Sequence, residues 1–389
     1  MVKYLRAANV KDGELDLTDV MSMNFTPGER KIFALQPGDV LVTEGSGSLA
    51  SVGASAMWQG EFDGPVCFQN TLLRLRPRID ITDGRFLGWW ARSAFYSGMF
   101  ASLAGGANIY HLSAERVRAM RIDLPPLEEQ RRIADFLDAE MGRIDRLGFL
   151  QRAALRLLNE RSTVLLDLKL EQHTVRFGVV PLRRFIVAMG QGTSPQCDAV
   201  PAGDDEWGVL KVSCLRFGEF FPSENKRLPN GVIPETAHEV REGDLLITRA
   251  NTPALVGATA VVPEVRRKLL LSDKIFRVCL ASGIDPHYVA AVARGSRVRS
   301  MCSAVSNGAS QSMVNIRFEE VKEWPIPKAS LGEQRRLVSD VTESQDKTGR
   351  LRTAIERQLE LLAERRQALI TAAVTGQIDI TTARGVDMS

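Results

Sequence analysis

Cysteine and histidine are scarce in this 389-residue sequence, with five of the first and four of the second. The cysteines (Cys67, Cys197, Cys214, Cys279, Cys302) lie far apart with no CxxC, and His111, His173, His238 and His287 do not join them at metal-ligand spacings. Neither a zinc site nor a disulfide framework organises such a chain. No run approaches the roughly 18 apolar residues of a membrane helix, and the start, Met1-Val2-Lys3-Tyr4-Leu5-Arg6, lacks the apolar centre of a signal peptide. These absences fit a cytoplasmic protein with reduced thiols. Charge of one sign is lacking too: 50 basic and 47 acidic residues leave a net +3, which neither requires nor forbids nucleic acid.

Catalytic constellations are also missing. There is no GxxxxGK[ST], no HExxH and no GxSxG. Gly45-Ser46-Gly47-Ser48 lacks the lysine that completes a phosphate loop and reads as a loop tip. Asp285-Pro286-His287-Tyr288 approaches the [DN]-P-P-[YF] motif of adenine methyltransferases, but His287 replaces the second proline and no glycine-rich methyl-donor loop precedes it. Asp285-Pro286 reads instead as a helix start.

What the chain does contain is a tandem repeat. Leu127 and Glu129-Gln130-Arg131-Arg132 return 204 positions later as Leu331 and Glu333-Gln334-Arg335-Arg336. Pro37-Gly38-Asp39-Val40-Leu41-Val42-Thr43 is answered by Glu242-Gly243-Asp244-Leu245-Leu246-Ile247-Thr248, Val52-Gly53 by Val256-Gly257, and Leu158-Asn159-Glu160-Arg161 by Leu362-Ala363-Glu364-Arg365. Each copy opens with short β-like runs and turn residues, predicting a mixed α/β domain with short helices near 86–99 and 286–298.

Each copy ends in a long proline-free helix. Ile133, Leu137, Ile144, Leu147, Ala154, Leu158 and Leu165 form a three-four stripe in the first, and Leu337, Val341, Leu351, Ile355, Leu362 and Leu369 in the second. Eight acidic and eight basic residues between Glu128 and Leu170 predict solvated outer faces. The two helices are expected to pair antiparallel as a rod of about 60 Å, giving a dumbbell with a pseudo-two-fold axis. The expected division is 1–127 and 173–330 for two globular domains, 128–172 and 331–376 for two spacer helices, and 377–389 for a tail. The second copy opens with Val180-Pro181-Leu182-Arg183-Arg184-Phe185 and a Gly190-Gln191-Gly192-Thr193-Ser194-Pro195 turn that the first lacks, because Leu5 already aligns with Leu210. About 25 residues are therefore expected to be missing from the front of the first domain, through truncation or a late start.

Two similar heads on a rigid spacer, without a catalytic set, suit a protein that holds two things apart, and a duplex with its own two-fold symmetry is one such pair. Polar loops supply the candidate DNA contacts: Arg6, Asn9, Glu44, Asn70 and Tyr110 in the first head, and Lys211, Ser213, Arg216, Arg249, Asn251, Lys274 and Gln311 in the second. Arg, Asn and Gln make bidentate contacts to base edges, whereas Lys and Ser mostly hold phosphate.

On these motifs the sequence resembles the specificity subunit of type I restriction-modification systems. The likeness rests on the repeated Leu-x-Glu-Gln-Arg-Arg, the Leu-x-Glu-Arg helix ends, the Gly-Asp turns, Tyr4-Leu5-Arg6-Ala7-Ala8-Asn9-Val10 and the closing Ala373-Val374-Thr375-Gly376-Gln377-Ile378. The resemblance implies two target-recognition domains, each reading half of a bipartite site in double-stranded DNA, and paired helices that set the gap. It further implies docking of two modification subunits, here assigned to Glu129, Gln130, Arg131, Arg132, Glu333, Gln334, Arg335 and Arg336, and of restriction subunits. The chain itself would be no enzyme and carry no cofactor or metal; S-adenosylmethionine, ATP and Mg belong to the partners. The alternatives are a non-catalytic coiled-coil adaptor and a silent, truncated specificity cassette.

Overall fold

The computed structural model describes residues 1–46, 48–106, 110–216, 218–305 and 314–380. It divides into two compact units. Unit 1 joins Met1–Ala153 to the chain from Ile355 on, and unit 2 is Ala154–Ala354. Each half of each long helix packs on the globular part of its own unit.

Unit 1 begins with β1 (Val2–Leu5), β2 (Met21–Met23) and α1 (Pro27–Phe33). Then come β3 (Val40–Thr43), β4 (Gly45–Ser46), β5 (Ser55–Met57), β6 (Val66–Phe68) and β7 (Leu72–Leu75). Helices α2 (Gly84–Tyr96) and α3 (Met99–Leu103), strand β8 (Tyr110–His111) and α4 (Ala114–Arg118) lead into α5 (Leu127–Phe177), which continues into unit 2. Strand β3 is buried throughout and lies between β5 and β7, antiparallel to both. A second sheet places β1 between β2, antiparallel, and β6, parallel.

Unit 2 repeats the plan after an additional lead. That lead is β9 (Val179–Pro181) and β10 (Ile186–Gln191). Next are β11 (Gly208–Leu210), β12 (Leu215–Arg216), β13 (Glu219–Phe220) and β14 (Asn225–Arg227). Then follow β15 (Leu245–Thr248), β16 (Ala250–Asn251), β17 (Thr259–Val261), β18 (Leu269–Leu270) and β19 (Ile275–Leu280). The unit continues with α6 (Pro286–Arg294), α7 (Ser296–Val305), β20 (Val314–Asn315), α8 (Phe318–Lys322) and β21 (Pro325–Pro327). Last is α9 (Leu331–Val374), whose far half returns to unit 1. Its main sheet has four strands in the order β10-β19-β15-β17, against β5-β3-β7 in unit 1. The mixed α+β class with two long helices is the one expected.

Local chemistry explains where the helices start. Asp83 caps α2 by accepting from the Arg85 and Phe86 amides, and Asp285 caps α6 by accepting from His287, with Pro286 in the first turn. Such caps satisfy amides that have no partner inside the helix. Asp285-Pro286 is thus the helix start expected. Helix α5 runs to Phe177, five residues beyond the expected 172, and α9 ends at Val374 instead of 376.

The long helices pair antiparallel within each unit. In unit 1 Glu140 and Asp145 take Arg365 and Arg366, and Gln151 Nε2 donates to Gln358 at 2.8 Å. In unit 2 Lys169 meets Asp340 at 2.9 Å and Arg176 meets Glu333 at 3.6 Å. Residue numbers fall along one helix as they rise along the other. The stripe is buried where it meets the globular part of each unit: Ile133, Leu137, Met141 and Ile144 join Ile370 and Ala373 in unit 1, and Leu166 joins Leu337 and Val341 in unit 2. Leu147 and Leu351, expected on that stripe, are instead 48% and 54% exposed. Two helices share only one narrow seam, so residues a step away from it stay in water.

Candidate nucleic-acid interface

The loop ends of β3 and β15 are built by the same main-chain bonds. The Gly53 amide donates to Thr43 O at 3.1 Å, and the Gly257 amide to Thr248 O at 2.9 Å. Thr43 Oγ1 donates to Ser51 O at 3.0 Å and Thr248 Oγ1 to Leu255 O at 2.9 Å. Both glycines have positive φ, 85° and 73°, and each presses against a helix side chain, Phe100 or Cys302. No larger residue fits that approach.

On this shared frame Glu44 and Arg249 occupy equivalent positions. Glu44 accepts from the Leu112 amide at 2.7 Å through its carbonyl and donates its own amide to Thr71 O at 3.0 Å. Arg249 accepts from the Ile316 amide at 2.9 Å and donates to Lys274 O at 2.7 Å. Main-chain bonds therefore hold the residue that follows the strand at the same place in both units, and the two units carry opposite charge there.

Several other candidates gather at these ends. In unit 1 Tyr110, on β8, sits opposite Ser46 on β4, and exposed Asn70 precedes Thr71. Arg6 joins them through the next residue, whose amide donates to Thr71 Oγ1 at 3.3 Å; its guanidinium pairs with Asp19. In unit 2 Arg249, Asn251 and Lys274 lie together: Asn251 is on β16, opposite Val314, and the Arg249 guanidinium donates to Asp273 O at 3.3 Å. Lys274 has no ion pair among the described residues.

Lys211, Ser213 and Arg216 form a separate group around Glu224. Lys211 Nζ is 2.8 Å from its carboxylate, Ser213 Oγ donates to it and Arg216 is at 3.6 Å. These bonds, from Lys211 and Ser213 above all, hold the Glu224 carboxyl below the usual carboxylate range. The two cations and the hydroxyl are thus already engaged within the unit.

Two candidates do not face a ligand. Asn9 is buried, with Oδ1 accepting from the Arg6 amide at 3.0 Å and Nδ2 donating to Asp16 O and Asp19 O at 2.8 and 3.0 Å. It closes its own turn, as asparagine often does. Asn251 is buried too: Oδ1 accepts from the Thr252 amide at 2.8 Å, and Nδ2 finds no partner among the described residues. Gln311 lies outside the described residues.

The repeated Glu-Gln-Arg-Arg is also divided by the structure. Gln130 is buried: its Oε1 accepts from the Asp83 amide at 2.9 Å, and its Nε2 donates to Ile81 O at 2.9 Å and Pro125 O at 2.8 Å. Gln334 does the same with the Asp285 amide at 2.8 Å, Ala329 O at 2.8 Å and Gly283 O at 3.3 Å. Both glutamines staple a long helix to the cap of α2 or α6, so neither is presented to a partner. Glu129 and Glu333 are half-buried, while Arg131, Arg132, Arg335 and Arg336 are exposed.

A surface missed in the sequence lies on α5. In unit 2, Leu157, Val164, Leu168 and Val175 are all more than half exposed, and a groove of about 390 Å³ runs from Val164 and Leu168 to Val298 and Pro325. In unit 1, Leu147, Phe149 and Leu150 are exposed on the same helix. The seven-residue spacing of Leu157 and Val164 was the legible signal.

Residues 3–145 match the family described as the type I restriction modification DNA specificity domain. The type I restriction enzyme EcoEI specificity subunit of Escherichia coli is 33% identical over 182 residues, 45% of this chain and 31% of that protein. The EcoKI specificity subunit of Escherichia coli (strain K12) is 27% identical over 304 residues, 73% of this chain and 63% of that protein. The chain thus matches less than two thirds of the length of each of these relatives. A solved chain described under complex assembly and conformational transition of the type I R-M system has a TM-score of 0.71 at 18% identity, covering 97% of this chain and 92% of its own. The HsdS subunit from Thermoanaerobacter tengcongensis has a TM-score of 0.54 at 18% identity, covering 97% and 91%. The resemblance read from the repeated motifs is borne out, and the fold is shared across nearly the whole chain.

Proposed function

We propose, from the premise that this chain is a relative of the type I specificity subunits and carries their specificity domain over residues 3–145, that it is the DNA-reading subunit of such a system. Each unit reads one half of a bipartite site in double-stranded DNA, through the loop ends around Glu44 in unit 1 and Arg249 in unit 2. The observation that carries this reading is the pair of equivalent frames with exchanged side chains. An arginine there donates two hydrogen bonds to guanine, and a glutamate accepts from the cytosine amino group, so one scaffold reads two different bases. Lys274 holds phosphate, and Arg6 does so by exchanging its Asp19 partner.

The chain performs no chemistry of its own in this reading. Modification subunits dock through the exposed apolar residues of α5 and through Glu129, Gln130, Arg131, Arg132, Glu333, Gln334, Arg335 and Arg336 or their surroundings in each unit, and restriction subunits join them. S-adenosylmethionine, ATP and Mg are carried by those partners. The complex works in the cytoplasm; no helix among the described residues is long and apolar enough to cross a membrane. The stretch of helix between the two recognition regions sets the gap between half-sites.

A map of modified bases in DNA from cells expressing this chain with its modification subunit tests the reading. A bipartite adenine-methylated motif is expected. Arg249→Ala relaxes one base of one half, Glu44→Gln relaxes one base of the other, and each change alters discrimination by about 10- to 100-fold. A heptad inserted between Gly148 and Asn159 changes the gap or abolishes assembly. Methylation with both halves unchanged in both variants rejects the placement of the reading residues. Absence of methylation, together with partner binding that does not weaken with salt, favours a coiled-coil adaptor.

A further inference from the structure

The repeat carries one arginine whose surroundings differ between the copies. Arg92 and Arg294 hold the same place in α2 and α6, counted from the caps Asp83 and Asp285. Each lies against a glycine of positive φ, Gly13 at 79° and Gly218 at 90°. A Cβ on Gly13 would lie 2.6 Å from the Arg92 Cζ, and one on Gly218 would lie 2.8 Å from the Arg294 Cδ. So close an approach of backbone to side chain is open to glycine alone. The frame is the same in both units, and what it holds is not.

In unit 1 the arginine is satisfied. Its Nε donates to Asp12 at 3.1 Å and its Nη2 to the Tyr96 hydroxyl at 3.0 Å, while that hydroxyl donates to Asp12. In unit 2 the sequence replaces both partners. Phe217 precedes Gly218 as Asp12 precedes Gly13, and Val298 follows Arg294 at the distance at which Tyr96 follows Arg92. Helix α6 ends at Arg294, and Val298 joins the core. Arg294 is half-buried, and its guanidinium has no hydrogen bond or ion pair among the described residues. Burial lowers its pKa, and Glu219 opposes that only in part. Burial acts on Arg92 in the same sense, but Tyr96 and Asp12 more than reverse it. A guanidinium stays charged, so donors withdrawn from water call for an acceptor.

Arg294 lines a cavity of about 320 Å³ within unit 2, together with Ser162 and Leu166 of α5, Leu255 of the turn after β16, Ala293 and Arg299. No carboxylate is among its described lining residues. Arg299 donates to Val256 O at 2.6 Å and to Ala254 O at 2.8 Å, so it fixes the turn and adds a second positive charge. The volume is that of about ten waters in the liquid, more than a bare anion needs. We propose that this cavity binds a small organic carboxylate. The carboxyl group takes the place at Arg294 that Asp12 takes at Arg92, and the apolar body lies against Leu166, Leu255 and Ala293. Inorganic phosphate would leave that wall uncovered, and a duplex phosphate brings no apolar body with it.

The test uses the full chain, with benzoate as the probe and benzamide as its uncharged counterpart. Ligand-observed NMR measures the affinities and hydrogen exchange locates the site. Neither readout involves methylation, so the failure of this inference and the failure of the specificity reading are separate events. Benzoate is expected to bind about tenfold more tightly than benzamide, and to slow exchange across residues 254–259 but not across the equivalent turn at 49–53. Arg294→Gln removes the preference for the charged probe, and Arg294→Lys keeps part of it. Equal binding of the two probes overturns the proposal, as does a preference for benzoate that survives Arg294→Gln. Inorganic phosphate binding as tightly as benzoate overturns it in favour of a plain anion site. Displacement of benzoate by a duplex overturns it in favour of a contact to the DNA backbone.

Discussion

Unit 1 concentrates its bulk on a helix, whereas unit 2 shares it between one helix and the segments around it. In unit 1, α2 buries Phe86, Trp89 and Trp90, and Trp90 meets Phe100 edge-on at 6.0 Å between ring centres. In unit 2, α6 buries a single large ring, Tyr288, beside Ala290, Ala291 and Ala293, and the remaining space is filled by Trp324 and the additional Leu182. The polar joints did not move with the volume. The caps, the glutamine staples and the threonine-anchored loop ends recur in both units with nearly the same bonds. Packing tolerates redistribution if total volume is kept, but a buried donor or acceptor left unpaired is costly. The comparison locates the invariant part of the architecture in its hydrogen bonds.

Breaking a staple is the strongest challenge to that view. Gln130→Ala and Gln334→Ala each strand a buried cap amide and its neighbouring carbonyls, at about 3–5 kcal/mol. The larger loss is expected for Gln130, whose three bonds are all within 2.9 Å, whereas one of Gln334's is 3.3 Å. Hydrogen exchange in α2 and α6 reads the two units separately, and equal losses would mean that the longer bond matters no less.

Glycine substitution sharpens the comparison at the loop ends. A Cβ on Gly53 would lie 2.5 Å from the Phe100 Cβ, and one on Gly257 would lie 2.6 Å from the Cys302 Sγ. The cysteine can rotate away and the phenylalanine cannot. Gly53→Ala is expected to cost about 2–4 kcal/mol and Gly257→Ala about 1–3 kcal/mol, measured by denaturant unfolding.

The smallest difference concerns acid. In unit 2, His173 contacts the Tyr288 hydroxyl at 3.3 Å, and burial lowers its pKa from 6.5. The Tyr288 hydroxyl is itself pushed up by burial. A histidine that prefers to be neutral when folded binds more protons unfolded, so stability falls as pH drops through 6.5. Unit 2 is expected to loosen below that pH by a modest increment that His173→Gln removes, with α6 exchange as the measurement. An unchanged pH profile in the variant would remove His173 as the source.

Much of this was legible in the sequence because repetition doubles every signal. The tandem offset, the Gly-Asp turns and the capped helix start at Asp285-Pro286 all have structural counterparts. What failed to show was whether a polar residue faces water. Gln130 and Gln334 sit among charged neighbours, and only the equally repeated Asp83 and Asp285 hinted that they have internal partners. Asn9 looked like a loop contact because a side chain bonded to its own turn has the same composition as one reaching for a ligand. Leu147 and Leu351 fit the three-four spacing, yet spacing cannot say how wide a two-helix seam is.

The glutamine joint has a consequence for how such chains diversify. Every bond it makes, in both units, ends on main-chain atoms: an amide at the helix cap and carbonyls nearby. A fitting that grips only backbone is blind to the sequence it holds. At this joint the surrounding side chains can therefore change without a matching change in the glutamine, provided that the backbone still delivers one amide and two carbonyls to the same place.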